Sequence, residues 1–297
     1  MYYQGSKGST DEGYEYDFIH PIDMQKYFSL LTGTGGKRMK QWASLCLTLP
    51  AGDDAGDGYI GNALDDNIWE VLSGPTPNLK LLEIHGLEGI NTIQAKKRVL
   101  PDLSGLRHLR LDSTIKLPSL RTANLDILEI PINWKRKDWP RLCRLSSLRS
   151  LKLRGEYGIR SDHSQDPEWP VLHLPNLRSI IFDGNFIQFA RARFDLPSLK
   201  HVSFKHPNSI DIAVWPVLRP ETVELVPTFW GNHEELIKRI LLQYACTQSL
   251  EISASHEKAC RDVIAQLKED PSWSSSLKQV HFKSEEGGVN IVDFASM

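Results

Sequence analysis

One short phrase returns six times along the chain: PNLKLLEI at 77–84, SGLRHLRL at 104–111, SSLRSLKL at 146–153, PNLRSIIF at 175–182, PSLKHVSF at 197–204 and SSLKQVHF at 275–282. Each copy sets apolar residues at offsets 0, +3 and +5, with polar or charged residues between them, and such self-similarity constrains architecture more tightly than local propensity does. Side chains alternate along an extended strand, so Leu82 and Ile84, Leu109 and Leu111, or Leu151 and Leu153 face one way. The first apolar residue of each copy (Leu79, Leu106, Leu148, Leu177, Leu199, Leu277) stands where the chain turns into the strand and reaches the same interior. A unit this small cannot close a core by itself, so neighbouring units must stack.

Weaker copies extend the series. Leu125, Leu128 and Ile130 fit the phrase; Pro220, Val223 and Leu225, and Thr247, Leu250 and Ile252, fit with a degraded first position, and Trp42, Leu45 and Leu47 supply a first turn. L-x-x-L-x-L is the signature of leucine-rich repeats. The expected fold class is therefore α/β: a leucine-rich repeat solenoid, a curved right-handed β-α superhelix of about 9–10 irregular repeats with a parallel concave sheet. No Asn ladder follows the strands, since His85, Asp112, Arg154, Asp183 and Lys205 occupy that position. An uneven convex side is expected from this irregularity.

Proline precedes the repeat leucine at Pro77, Pro118, Pro175 and Pro197, which ends any helix on the outer segment and favours extended backbone ahead of it. A Trp-Pro echo at Trp139, Trp169 and Trp215 reads as apolar plugs in the convex layer, with exposed binding aromatics as the alternative. Amphipathic spacing predicts helices over Asp23–Thr32, Tyr59–Leu72 and Glu257–Glu269, and Asn232 with Glu235 forms a capping box for a helix running to Tyr244. The organisation expected is a disordered or short helical N-terminal segment at 1–37, the repeat solenoid at 38–285 and a C-terminal tail at 286–297.

The 297 residues exceed a usual globular domain, which a solenoid tolerates because each unit touches only its neighbours. A net charge of −2 gives no general attraction to nucleic acid or anionic membrane, and no apolar run is long enough to span a bilayer. Cys46, Cys143, Cys246 and Cys260 lie far apart without paired spacing, and no N-x-S/T acceptor occurs. These features point to buried reduced thiols in a cytoplasmic or nuclear protein.

Motifs for chemistry fail on inspection. Gly33 to Arg38 resembles a phosphate loop, but Leu31 stands at the first glycine and Arg38 at the magnesium-binding hydroxyl. Asp53, Asp57 and Gly58 suggest a calcium loop, but Ala55 occupies a ligand position and Leu64 the closing glutamate. The ten histidines include no HExxH and no clustered Cys/His pair, and no G-x-S-x-G elbow offers a nucleophile. The reading is a non-enzymatic protein with no catalytic residues, cofactor or metal.

What remains is the outward side of the strands. Offsets +2, +4 and +6 place Glu83, His85, His108, Arg110, Asp112, Glu129, Lys152, Arg154, Asp183, His201 and Lys205 on one face, the candidate partner-binding set. At about 4.8 Å per strand, ten strands would present a face roughly 45 Å long, enough for a protein or peptide. Its mixed signs suit a protein partner better than a polyanion.

PNLKLLEI, LPSLR, LPNLRSI and LPSLKHV, with the preceding RMKQWASLCLTLP and the segment leading to IWEVLSGPTPNLKLLEI, resemble the leucine-rich region of fungal F-box-like proteins, above all the large basidiomycete group. The likeness covers roughly residues 38–285. It implies a substrate-recognition repeat region of a ubiquitin-ligase receptor, in which an N-terminal F-box docks a Skp-type adaptor. The first forty residues carry neither the L-P-x-E-[IL] opening nor the V-C-[KR]-x-W close of that box. A Skp-type adaptor is therefore expected only where an F-box precedes this chain. The alternative is a freestanding leucine-rich repeat binding or inhibitor protein unrelated to ubiquitination.

Overall fold

The apolar positions of the repeat are interior positions in the computed structural model of the chain. The structure describes residues 6–9, 15–18, 30, 32–48, 76–85, 105–111, 124–131, 139–154, 171–184, 193–205, 218–226, 240–244, 246–253, 265, 276–283 and 289–293. All six first-position leucines are buried, as are the +3 residues Leu82, Leu109, Leu151, Ile180, Val202 and Val280. At +5, Ile84, Leu111, Leu153, Phe182 and Phe204 are buried too. The weaker copies behave alike: Leu125, Leu128, Ile130, Val223, Leu225, Thr247, Leu250 and Ile252 are buried, while Leu45 of the first copy is half-buried.

The chain divides into two compact units, one formed by Met1–Arg107 with Leu111–Ala123, the other by His108–Arg110 with Asn124–Met297. The first unit holds an antiparallel hairpin of β1 (Ser6–Ser9) and β2 (Glu15–Phe18), a 3-10 helix at Thr34–Gln41, and the parallel pair β3 (Ser44–Thr48) and β4 (Leu81–His85). Gly33, at a φ of 69°, opens the 3-10 helix, and Arg38 beneath it donates from Nη1 to the Leu30 carbonyl at 2.9 Å. The arginine that spoils the phosphate-loop pattern is thus engaged in a backbone bond.

The second unit carries one parallel strand per repeat. β5 (His108–Leu111, through His108–Arg110), β6 (Ile127–Pro131), β7 (Ser150–Arg154), β9 (Ser179–Asp183), β11 (His201–Lys205), β12 (Thr222–Val226), β13 (Ser249–Ser253) and β14 (Gln279–Lys283) pair in that order without a register slip. This is a solenoid-type repeat architecture built on a large parallel sheet. β15 (Val289–Asp293), inside the stretch expected as a tail, adds antiparallel to β14. Among its described side chains only Ile291 is placed, and it is exposed, so the repeat periodicity carried no signal for this strand.

Helix is sparse among the described residues. It amounts to the single turn α1 (Trp139–Leu142), the 3-10 segment, residues 240–243 and isolated positions. The last turn of the helix expected to end at Tyr244 is present, with Ile240, Leu241 and Tyr244 buried. The helices expected over Tyr59–Leu72 and Glu257–Glu269, and most of that over Asp23–Thr32, lie outside the described residues, as do Trp169, Trp215 and the side chain of Trp139. Ahead of β9 and β11 the described parts of the return segments include short extended stretches. β8 (Leu172–His173) and β10 (Phe194–Asp195) form a short parallel pair, each standing at the same distance ahead of the strand that follows it.

Two local devices hold the register. In Thr76–Leu79, Leu145–Leu148, Leu174–Leu177 and Leu196–Leu199, the first-position leucine donates its N–H to the carbonyl three residues earlier, at 3.0–3.2 Å. Proline occupies the second place of this turn at Pro77, Pro175 and Pro197, where its fixed φ suits the geometry. The next two N–H groups then reach one carbonyl of the preceding rung: Lys80 and Leu81 to Ala43, Arg149 and Ser150 to Asp126, Arg178 and Ser179 to Arg149, Lys200 and His201 to Arg178. Core packing adds an aromatic stack, Phe182 on Phe204 at 5.6 Å and Phe204 on Tyr244 at 5.8 Å, with Phe194 meeting Phe182 edge-on at 6.2 Å.

Candidate functional site

Period-two alternation leaves one side of each strand outside the core, and parallel pairing sets equivalent outward residues beside one another. In the second unit Arg110, Glu129, Lys152, Ile181, Ser203, Glu224 and Glu251 fall in one register row, in which Ser203 alone is fully buried, and Pro131, Arg154, Asp183, Lys205 and Val226 fall in the next. Neighbouring strands bring opposite charges to ion-pairing range both straight across and on the diagonal.

Arg110 Nε lies 3.1 Å from Glu129 Oε2, its direct register partner, and Arg154 Nη2 approaches the same oxygen at 3.8 Å from the next strand. Glu129 is thus held between two guanidinium groups. Lys152 Nζ reaches diagonally to Asp183 Oδ2 at 3.1 Å. These side chains are between 15% and 33% exposed, so the pairs are partly shielded from solvent and keep more of their Coulombic attraction than fully exposed ones. His201 accepts or donates at Nδ1 to Ser179 Oγ at 3.1 Å, while its Nε2 lies 3.9 Å from Glu224 Oε2. Lys205 is half-buried and, among the described residues, forms no ion pair.

Of the residues expected on this face, Arg110, Glu129, Lys152, Arg154 and Asp183 form two adjoining charge clusters, and His201 forms a third with Glu224. His108 is half-buried at the β5 end, and Asp112 lies outside the described residues. Glu83 and His85 belong to the first unit, on β4, where Glu83 Oε2 lies 3.7 Å from His85 Nε2 and 3.7 Å from Cys46 Sγ of β3. Cys46 and Glu224 were absent from the expected set. The signal was available: the +2 and +4 offsets, applied to the degraded copies at 42–47 and 220–225, name both.

The thiols depart from the buried placement expected for them. Cys46 and Cys246 are exposed and Cys143 is half-buried, with none in a disulfide, whereas Cys260 lies outside the described residues. Cys143 and Cys246 donate weakly to the carbonyls of Val171 and Pro220, each at 3.6 Å. Among the described residues no helix is long and apolar enough to cross a membrane. No family model, curated protein or solved structure matches this chain.

Proposed function

We propose that this chain is a non-enzymatic interaction scaffold whose outward sheet face captures a protein partner in the cytoplasm or nucleus. The finer reading, carried by the likeness of its repeats, is the leucine-rich substrate-recognition region of a fungal F-box-like receptor, with a Skp-type adaptor reached through an F-box. One observation carries the proposal: the Arg110–Glu129–Arg154 and Lys152–Asp183 clusters hold charges of both signs, half-buried, at positions fixed by strand register. Fixed charges of alternating sign offer a partner a pattern to match, and ordering them at an interface loses little further side-chain entropy. A polyanion would be better served by a stripe of one sign. Ile127, Ile181 and Val226, half-buried on the same face, add apolar area between the charges.

The test inverts the pattern without breaking the pairs. A triple variant with Arg110→Glu, Glu129→Arg and Arg154→Glu keeps each ion pair while exchanging its signs. It should fold with an unchanged melting temperature, yet bind a partner captured by the parent protein at least about tenfold more weakly, roughly 1.4 kcal/mol. Unchanged affinity would place the interface elsewhere. Co-purification with a Skp-type adaptor from fungal lysate favours the receptor reading; a stable partner without that adaptor favours a freestanding scaffold.

A further inference from the structure

The first unit brings together three side chains of a kind that bind transition metals. Cys46 of β3 and Glu83 of β4 are register partners, and His85, two residues beyond Glu83, shares its face of the sheet. Cys46 Sγ and His85 Nε2 each lie 3.7 Å from Glu83 Oε2, and the three atoms all lie within 4.8 Å of one another. Zinc bonds of about 2.3 Å to sulfur and about 2.0–2.2 Å to nitrogen and oxygen, opened to the tetrahedral angle, put ligand atoms roughly 3.4–3.6 Å apart. The two 3.7 Å separations are within a few tenths of an ångström of that spacing. The sulfur and the imidazole lie within 4.8 Å of each other, and Cys46 is an exposed residue whose side chain can turn to close the set around an ion.

We propose that Cys46, Glu83 and His85 form a zinc site on the outward face of the β3–β4 pair, with the fourth coordination position open to water or to a donor from a bound protein. Sulfur, imidazole and carboxylate together match the ligand preferences of Zn2+, whereas Mg2+ and Ca2+ take oxygen ligands alone. A thiolate and a carboxylate neutralise the dication. Binding forms the sulfur–metal bond as the S–H bond breaks, and the proton leaves to solvent, so affinity rises with pH below the ordinary thiol pKa of about 8.5. The ion also clamps the first rung, whose Leu45 is only half-buried, to the second, where Leu82 is fully enclosed. The sequence conceals the site because its thiol and carboxylate are 37 residues apart and no local spacing joins them.

Cobalt(II) reports on this site because thiolate ligation produces a sulfur-to-cobalt charge-transfer band in the near ultraviolet. The reduced, metal-free full chain, titrated with cobalt(II), should bind one equivalent with that band, lose it on adding zinc, and melt at a higher temperature with zinc than without. Cys46→Ser should abolish the band and Cys143→Ser should preserve it. Glu83→Gln and His85→Ala should each weaken cobalt binding by roughly tenfold or more. Circular dichroism of every variant checks that the fold persists. Absence of the band in folded parent protein, its survival in Cys46→Ser, or full affinity in both Glu83→Gln and His85→Ala would each overturn the proposal.

Discussion

Gly105 shows how closely neighbouring rungs approach. A Cβ added there would come within 2.8 Å of the Pro77 carbonyl oxygen, a backbone atom that cannot swing aside. In the equivalent places of the other five copies stand Asn78, Ser147, Asn176, Ser198 and Ser276, so among these six only this copy has a glycine there. Gly105→Ala should therefore destabilise by about 1–3 kcal/mol, read as a lower denaturant midpoint with an unchanged slope; an unshifted midpoint would refute the close approach. Tyr244 gives a second, pH-dependent prediction. Burial pushes its phenol pKa well above the ordinary value of about 10. The unfolded chain then releases this proton first, so the group's stabilisation is complete below about pH 10 and is lost as pH climbs above it. Tyr244→Phe keeps the ring on Phe204 and removes the titration, so its stability should fall less steeply over that alkaline range than the parent's. Superimposable alkaline profiles would contradict it. Neither constraint was readable beforehand, because both depend on which residues meet across rungs rather than on spacing within one.

At the scale of the element, the strands were legible and the bonds between them were not. Apolar residues at 0, +3 and +5 located β4 in the first unit and β5, β6, β7, β9, β11, β12, β13 and β14 in the second, because burial on one face imposes the period directly. The prolines were read as stops; in the structure they also preset the turn that delivers the leucine into the core. The repeated Pro-Asn pair held further information. Asn78 Nδ2 donates to the Lys40 carbonyl at 2.7 Å, and Asn176 Nδ2 to the Ser146 carbonyl at 2.9 Å, the same bridge to the preceding rung in each unit. An asparagine ladder was sought after the strand, whereas the amide bridges lie before it. Asn176→Ala removes one such bridge and should cost about 0.5–1.5 kcal/mol by denaturant unfolding, with Asn176→Ser recovering less than the whole. A neutral alanine variant would mean the bridge adds nothing beyond solvent hydrogen bonding. Short irregular returns were expected in the middle repeats; β8 and β10 show that part of two of them runs extended and pairs, which spacing alone cannot distinguish from coil.

Across the whole molecule, the repeat predicted stacked parallel rungs, and the charges on their outward side follow from that stacking alone. Arg110 meets Glu129 because β5 and β6 are in register, and Lys152 meets Asp183 because β7 and β9 are. A slip of one residue would turn both clusters inward and the leucines outward. The candidate face and the core are therefore one claim about register. That claim is tested most directly by methyl nuclear Overhauser spectroscopy on selectively labelled protein. The structure predicts an unbroken chain of cross-peaks from Leu128 to Leu151, Ile180, Val202, Val223, Leu250 and Val280, each residue reaching its register partner in the next strand. Cross-peaks linking these residues in another order, or Leu151 meeting no methyl of a neighbouring repeat, would contradict it.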